Sequence, residues 1–253
     1  MPRDQPVVRG DDSSYAEGRG CYTTALINRG RARFAERHAS RLQRDARLLR
    51  LGAVERDTVL RAFEELGKAA FPDGEGIIRV QATRDGDGEL HLVGVPRELE
   101  PSDGHPWLAI VSDLLHEGPT AWSGCKVTNR LVFALGRDAA AEAGADEAIL
   151  FDASGMLVEG SRSCLFVVGR DGALGTPPLS RGGVASIARE VVMEHIPQVE
   201  ARDITLPDLR EADEIIAVNA VRGARPIGTL DGRPIGSGHL RWAELLDRAL
   251  STE

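Results

Sequence analysis

Lys126 lies in SGCKVTNRL (residues 123–131), and Glu159 follows 33 residues later in LVEGSRSCLF (157–166). A lysine amine forms a Schiff base with a carbonyl carbon. A carboxylate on a later strand can hold a proton on a pyridine nitrogen. A Schiff-base lysine and an acidic ring-nitrogen partner are the two groups that pyridoxal phosphate asks of a protein. Once displaced from the cofactor by a substrate amine, the same lysine is a base beside the substrate. A cationic neighbourhood and partial desolvation bring its pKa toward neutrality, as that task needs.

The cofactor's phosphate is a dianion and needs cations and backbone N–H groups. The run SRGGVASIAR (180–189) offers a helix start preceded by two glycines, a geometry that leaves amides free for an anion. Arg41, in FAERHASRL (34–42), shares a helical face with His38 three residues before it and offers the cation.

These residues must be positioned by a chain of 253 residues, long enough for one large or two ordinary domains. CYTTALIN (21–28) reads as a strand. Phe34, Leu42, Ala46 and Leu49 recur with helical spacing, and Gly52 is the expected C-cap. A second helix is expected over 55–70, then a hairpin of strands 76–83 and 89–95 around DGDG (85–88). The first 14 residues read as a loose polar arm. Strands are expected at 107–114, 147–151, 163–168 and 215–221, and helices at 129–143, 184–195 and 240–250. The turn DASG (152–155) is placed between the second and third of those strands. The domain reading is an N-terminal α+β domain over 1–98, a linker over 99–110 rich in Pro, Glu and Gly, and a C-terminal α/β domain over 111–253 that carries Lys126.

Hydrophobic and charged fractions of 42% and 28% are those of a globular protein, and a net charge of −8 argues against general nucleic-acid binding. No apolar run is long enough to span a membrane, and residues 1–12 lack a signal-peptide core, which points to the cytoplasm. Cys21, Cys125 and Cys164 are widely spaced and form neither a zinc pattern nor a disulfide framework; no metal is expected.

Six blocks in order carry a resemblance: GCYTTAL (20–26), FAERHASRL (34–42), SGCKVTNRL (123–131), DEAILFDASGMLVEGSRSCLFVV (146–168), TPPLSRGGVASIARE (176–190) and ADEIIAVNAVRGARPIG (212–228). Together they resemble the fold-type IV pyridoxal-phosphate enzymes, which include branched-chain and D-amino-acid aminotransferases and 4-amino-4-deoxychorismate lyases. The resemblance implies an α/β (α+β) two-domain fold, an N-terminal α+β domain and a larger C-terminal pseudo-barrel domain, with the cofactor between them. It implies Lys126 as Schiff-base lysine, Glu159 as ring-nitrogen partner and Arg41 as phosphate arginine. Amides of Ile187 and Ala188 also serve the phosphate, and Ala220 and Val221 line it. Many relatives carry Thr at the position of Ala188.

Tyr22-Thr23-Thr24 resembles the lyases, with Thr24 near the reacting carbons and Tyr22 beside the substrate. The resemblance then implies release of 4-aminobenzoate and pyruvate from a small-molecule amine; transamination of branched-chain or D-amino acids is the alternative. A binding protein on the same fold is the rival of another class. A homodimer without nucleic-acid or membrane partners is implied. Lyases often carry a Gly- and Arg-rich turn after the strand at 76–83, and this chain has acidic RDGDGE (84–89) there. Arg222 and Arg225 are the candidate replacements as anion anchors.

Overall fold

A computed structural model describes residues 9–102, 104–236 and 240–251. The chain divides into two compact units: Met1–Pro101 with Cys125–Asn129, and Ser102–Gly124 with Arg130–Glu253.

The first unit begins with a short helix α1 (Ser13–Ala16), capped by Asp12, whose carboxylate accepts from the Ser14 N–H. Asp12 also accepts from the Thr83 hydroxyl. Residues 9–14 are therefore tied down rather than a loose arm; residues 1–8 of that expected arm lie outside the described residues. β1 (Cys21–Asn28) alternates between a buried face and an open one. β2 (Arg31–Ala32) returns from a tight turn. α2 (Ala35–Leu48) and α3 (Arg56–Ala70) cover the buried face. β3 (Glu75–Arg84) and β4 (Leu90–Glu98) form the expected hairpin, and the antiparallel sheet runs β2-β1-β3-β4. Cys21, Ala25, Ile27, Leu42, Phe63, Ile78 and Val80 are all buried between sheet and helices. Each large apolar side chain so buried stabilises the fold by about 1.5–3 kcal/mol.

Two boundaries differ from the sequence reading. α2 ends before Gly52: the Leu51 N–H bonds the Ala46 carbonyl and the Arg50 N–H bonds the Arg47 carbonyl, with Arg50 at φ 54°. That is a Schellman closure with arginine at the left-handed position where glycine is usual. β4 extends to Glu98, so Pro96 lies in a strand. It is tolerated because β4 is at the edge of the sheet, where a missing N–H costs no ladder bond.

The acidic turn spends its charge internally. Asp85 accepts from the Glu89 N–H and bonds His91 Nε2 at 2.9 Å, and Arg9 lies beside Asp85 and Asp87.

The second unit starts with β5 (Trp107–Val111), so the expected linker stops short of residue 107. α4 (Leu131–Glu142) leads to β6 (Glu147–Phe151), and the turn at 152–155 joins β6 to a strand the sequence reading lacks, β7 (Leu157–Gly160). β8 (Cys164–Val168) and β9 (Leu174–Thr176) follow. α5 (Ile187–His195) begins three residues later than expected because the Ser186 hydroxyl caps it. β10 (Glu200–Ala201), α6 (Leu206–Arg210), β11 (Glu214–Asn219), β12 (Gly223–Leu230), β13 (Arg233–Pro234) and α7 (Arg241–Leu250) complete the unit.

The large sheet runs β10-β9-β8-β11-β12-β5-β6-β7, with β13 against β12. β7 and β8 are five strand spacings apart along that order, about 24 Å if flat. Only Ser161–Ser163 connect them, and the Gly160 N–H bonds the Ser163 carbonyl. Three residues reach roughly 10–14 Å. The sheet must therefore curl until β7 lies beside β8, which is the expected pseudo-barrel. Buried Glu147 fixes the closure, accepting from the hydroxyls of Ser161 and Ser163.

Lys126 does not sort with the larger unit. Residues 126–128 lie along the start of β1: the Tyr22 N–H bonds the Lys126 carbonyl, the Thr128 N–H bonds the Gly20 carbonyl, and Cys21 bridges Val127. Backbone pairing draws the segment onto the first sheet.

Candidate active site

In the first unit, one helix supplies most of the polar groups. The buried face of α2 carries Ala39, Leu42 and Ala46, and also His38, Arg41 and Asp45. Asp45 was not singled out in the sequence; its signal is a charge on the stripe that should be apolar. Asp45 Oδ2 accepts the Lys126 N–H at 2.9 Å, and Oδ1 accepts from Arg44. One rigid helix thus fixes both the backbone of Lys126 and the guanidinium of Arg41.

Arg41 Nη2 donates to the Thr23 hydroxyl. Thr23 has one proton to give, and its oxygen lies 2.5 Å from His38 Nδ1. Arg41 Nη2 also lies 3.5 Å from His38 Nδ1, and arginine only donates, which favours Nδ1 as the acceptor of the threonine proton and places the imidazole hydrogen on Nε2. Among the described residues, neither buried His38 Nε2 nor buried Arg41 Nε has a hydrogen-bond partner. Burial, then the charges of Arg41 and Lys126, hold His38 well below the usual imidazole range. Burial pulls Arg41 down to about 10, opposed by Asp45.

A pH dependence follows. The folded protein keeps His38 neutral while the unfolded chain protonates it below about pH 6.5. Stability is therefore full above pH 6.5 and falls as pH drops toward the depressed folded value, by about 1.4 kcal/mol per pH unit per group. His116 is depressed in the same direction by burial. Equilibrium unfolding of His38→Gln across pH 4–7.5 is expected to lose about one proton of that slope and to keep the contribution of His116. An unchanged slope would show that His38 is not the group responsible.

On the other face of β1 and β3, buried Tyr22 and half-buried Thr24 stand beside Arg79 and Gln81; in register, Thr24 faces Arg79 and Tyr22 faces Gln81. Lys126 Nζ lies 5.1 Å from the centre of the Tyr22 ring. The sequence-derived residues Tyr22, Thr24 and Lys126 thus share one face, whereas Arg41 belongs to the buried face behind it.

In the second unit, Glu159 sits on β7, paired with Leu150, and is buried. Its Oε1 accepts the Val184 N–H at 3.1 Å. His116, absent from the sequence reading, places Nε2 at 3.8 Å from the same oxygen. The Gly118 N–H bonds His116 Nδ1, so the neutral ring turns its N–H toward Glu159. Ile187 and Ala188 form the first turn of α5, where amides have no partner within the helix. The N–H groups of Val221 and Arg222 are both held by Asn219 Oδ1. Ala220 lies in that turn, and Arg225 lies on β12 with Nε buried and unpartnered.

The cysteines are buried thiols: Cys125 and Cys164 are each pushed up to about 12, and Cys21 is raised further, all chiefly by burial. None is poised as a nucleophile at neutral pH.

The donor set suits pyridoxal phosphate. In the first unit, two buried nitrogens without partners among the described residues suit a dianion and a lysine amine suits a Schiff base; in the second, a helix N-terminus suits an anion and a buried carboxylate suits a ring nitrogen.

Residues 20–230 match the family Amino-transferase class IV. The chain belongs to that family and is an enzyme of it, with pyridoxal phosphate as cofactor. It is similar to a bifunctional aminodeoxychorismate lyase / D-amino acid transaminase of Mycobacterium tuberculosis, 27% identical over 98% of this chain and 95% of that one. It is 35% identical to a putative branched-chain-amino-acid aminotransferase of Methanocaldococcus jannaschii over 116 residues, 44% of this chain and only 40% of that protein. A hypothetical aminotransferase from Mycobacterium tuberculosis, solved in a PLP-bound form, shares the fold with a TM-score of 0.86, at 24% identity over 99% of this chain and 95% of that one. Among the described residues, no helix is long and apolar enough to cross a membrane.

Proposed function

We propose that the protein is a lyase that converts 4-amino-4-deoxychorismate to 4-aminobenzoate and pyruvate, acting as a cytoplasmic homodimer. The observation that carries the reading is the face of β1 where Thr24 and Tyr22 stand with Lys126, in a chain similar over nearly its full length to the bifunctional lyase.

Pyridoxal phosphate, when bound, supplies an electron-withdrawing ring that acidifies the carbon bearing the substrate amine. Arg41 and His38 of the first unit would hold the phosphate, as would the amides of Ile187 and Ala188 of the second. Glu159, oriented by the Val184 N–H and faced by His116, would keep the ring nitrogen protonated. Lys126 would remove the proton from the amine-bearing carbon, and the enolpyruvyl group leaves with its oxygen as the substrate's own six-membered ring becomes aromatic. Thr24 positions the departing oxygen. The leaving fragment takes up a proton and becomes pyruvate, so the elimination needs no oxidant or reductant. Aromatisation supplies much of the driving force, and the protein's task is placement of proton and leaving group.

Transamination is the second reading, favoured by the D-amino acid transaminase activity named for the same relative. The purified protein is supplied with aminodeoxychorismate and assayed for 4-aminobenzoate. In parallel, D- and branched-chain amino acids are supplied with 2-oxoglutarate and assayed for glutamate. Glutamate without 4-aminobenzoate would reject the lyase reading, and a protein that stays colourless with added cofactor would reject both. Light scattering tests the dimer.

A further inference from the structure

We infer that Asp45 is a positioning residue for Lys126: by taking the Lys126 N–H it ends the pairing with β1 at that residue, and so aims the reactive amine from the helix that carries Arg41. The inference rests on Lys126 being the reacting amine.

The register of the lysine segment on β1 shows what Asp45 interrupts. Cys21 bridges Val127, with the Tyr22 N–H on the Lys126 carbonyl and the Thr128 N–H on the Gly20 carbonyl. In an antiparallel ladder the next pair of that register, Tyr22 with Lys126, exchanges two bonds. Only the first of them forms. The second, from the Lys126 N–H to the Tyr22 carbonyl, is replaced by a bond of 2.9 Å to Asp45 Oδ2. The backbone therefore leaves β1 at the residue whose side chain must meet the cofactor. Beyond it the Thr128 hydroxyl donates to the Gly18 carbonyl at 2.9 Å, which fixes the far end of the segment.

The side chain at position 45 suits this task by its acceptor count. The Lys126 N–H donates to Oδ2, Arg44 donates to Oδ1 at 2.8 and 3.0 Å, and the Cys125 thiol is also bonded to the carboxylate. A carboxylate accepts at about four sites and has no proton to place, whereas a hydroxyl accepts at two and must place its own. Asp45 is fully buried on a stripe otherwise formed by Ala39, Leu42 and Ala46. Burying a charge there is costly unless it is fully hydrogen-bonded. Two of the three residues whose bonds offset that cost are Cys125 and Lys126. The segment is thus gripped by β1 on one side and α2 on the other, and Lys126 lies where the grip changes over. A catalytic group needs its reach held to within about 0.5 Å.

The test compares Asp45→Ala, Asp45→Ser and Asp45→Asn. Alanine releases the N–H to the Tyr22 carbonyl and draws Lys126 flat onto β1. The serine oxygen sits one bond nearer the helix, and asparagine keeps an acceptor in the place of Oδ2. Pyridoxal phosphate is added to the cofactor-free proteins, and growth of the visible band is timed. Its analogue 4-deoxypyridoxine phosphate, which has no aldehyde, is titrated in parallel. The alanine and serine variants are expected to slow the band about 10–100-fold, the effect of a misplacement of about 1 Å. The analogue is expected to bind all variants at least as tightly as wild type, because an anion beside Arg41 has been removed. For whichever substrate is turned over, kcat falls by a similar factor with KM little changed, and asparagine recovers most of both rates. Wild-type band growth in the alanine and serine variants overturns the inference. So does an asparagine variant as slow as alanine, which would make the charge rather than the bond responsible, or a parallel loss of analogue affinity, which would make the role merely structural. The serine variant carries the comparison if alanine does not fold. The band and the analogue need no turnover, so failure of the lyase and transaminase assays is a separate result.

Discussion

Lys126→Ala is expected to abolish the visible absorbance of the bound cofactor and to lower turnover by at least about 10²–10⁴-fold, the usual contribution of a positioned proton-transfer group. The covalent tether and the base are the same nitrogen, so both readouts fall together. The backbone at this position is held independently of the side chain: Asp45 accepts the Lys126 N–H, and the Lys126 carbonyl accepts the Tyr22 N–H. Removing the side chain therefore leaves the segment paired to β1, and the melting temperature of the cofactor-free protein should change little. Added methylamine, which supplies a proton acceptor without the tether, should restore some turnover. An Ala variant that keeps the band would show that another amine holds the cofactor.

Arg41→Gln is expected to move two measurements in opposite directions. Cofactor affinity, titrated into the cofactor-free protein, should weaken by about 30- to 5,000-fold, the cost of truncating one partner of a buried charge pair. Stability of the cofactor-free protein should be unchanged or slightly higher. Arg41 is buried, and without the phosphate its main compensation is Asp45, one turn along α2. Burial lowers its pKa to about 10, so the charged form is penalised in the fold. Below that pH the arginine is charged in both states and the penalty is constant; it fades only as pH rises from about 10 toward the unfolded value. Neutral glutamine removes it throughout the neutral range. An affinity that does not change would reassign the phosphate to α5 alone.

Legibility of the fold depended on how much each segment's composition matched its surroundings. β1 was readable to the residue because one face is buried and CYTTALIN is rich in β-branched residues. β7 was not: Leu157–Gly160 is four residues long, all buried, and includes Glu and Gly, so it shows no alternation. β12 was also missed, because Gly223, Pro226 and Gly228 read as loop while pairing with β11, β5 and β13 supplies the order. Lys126, Glu159 and Arg41 stood out as candidates in the sequence through their motif context. Asp45 and His38 left a fainter mark, polar residues on a helix face that should be apolar. The assignment of Lys126 to the first unit was invisible, because it depends on backbone pairing over a separation of about a hundred residues.

The position of β5 has a consequence for synthesis. It lies inside the large sheet between β6 and β12, pairing Leu108 with Thr229 and Ala109 with Leu230, and the Val111 N–H is held by the Asp231 carboxylate, 120 residues later. A ribosome adding about 5–20 residues per second needs roughly 6–24 s to make that interval. Throughout it, one edge of a central strand waits without its partner while β6 to β9 emerge. The first sheet can assemble β1 to β4 long before then, but the lysine segment joins it only after residue 129 is made. Slowing translation after residue 150 should therefore lengthen the exposure of β5, and chaperone demand during production of this enzyme should concentrate on nascent chains that end between residues 111 and 230.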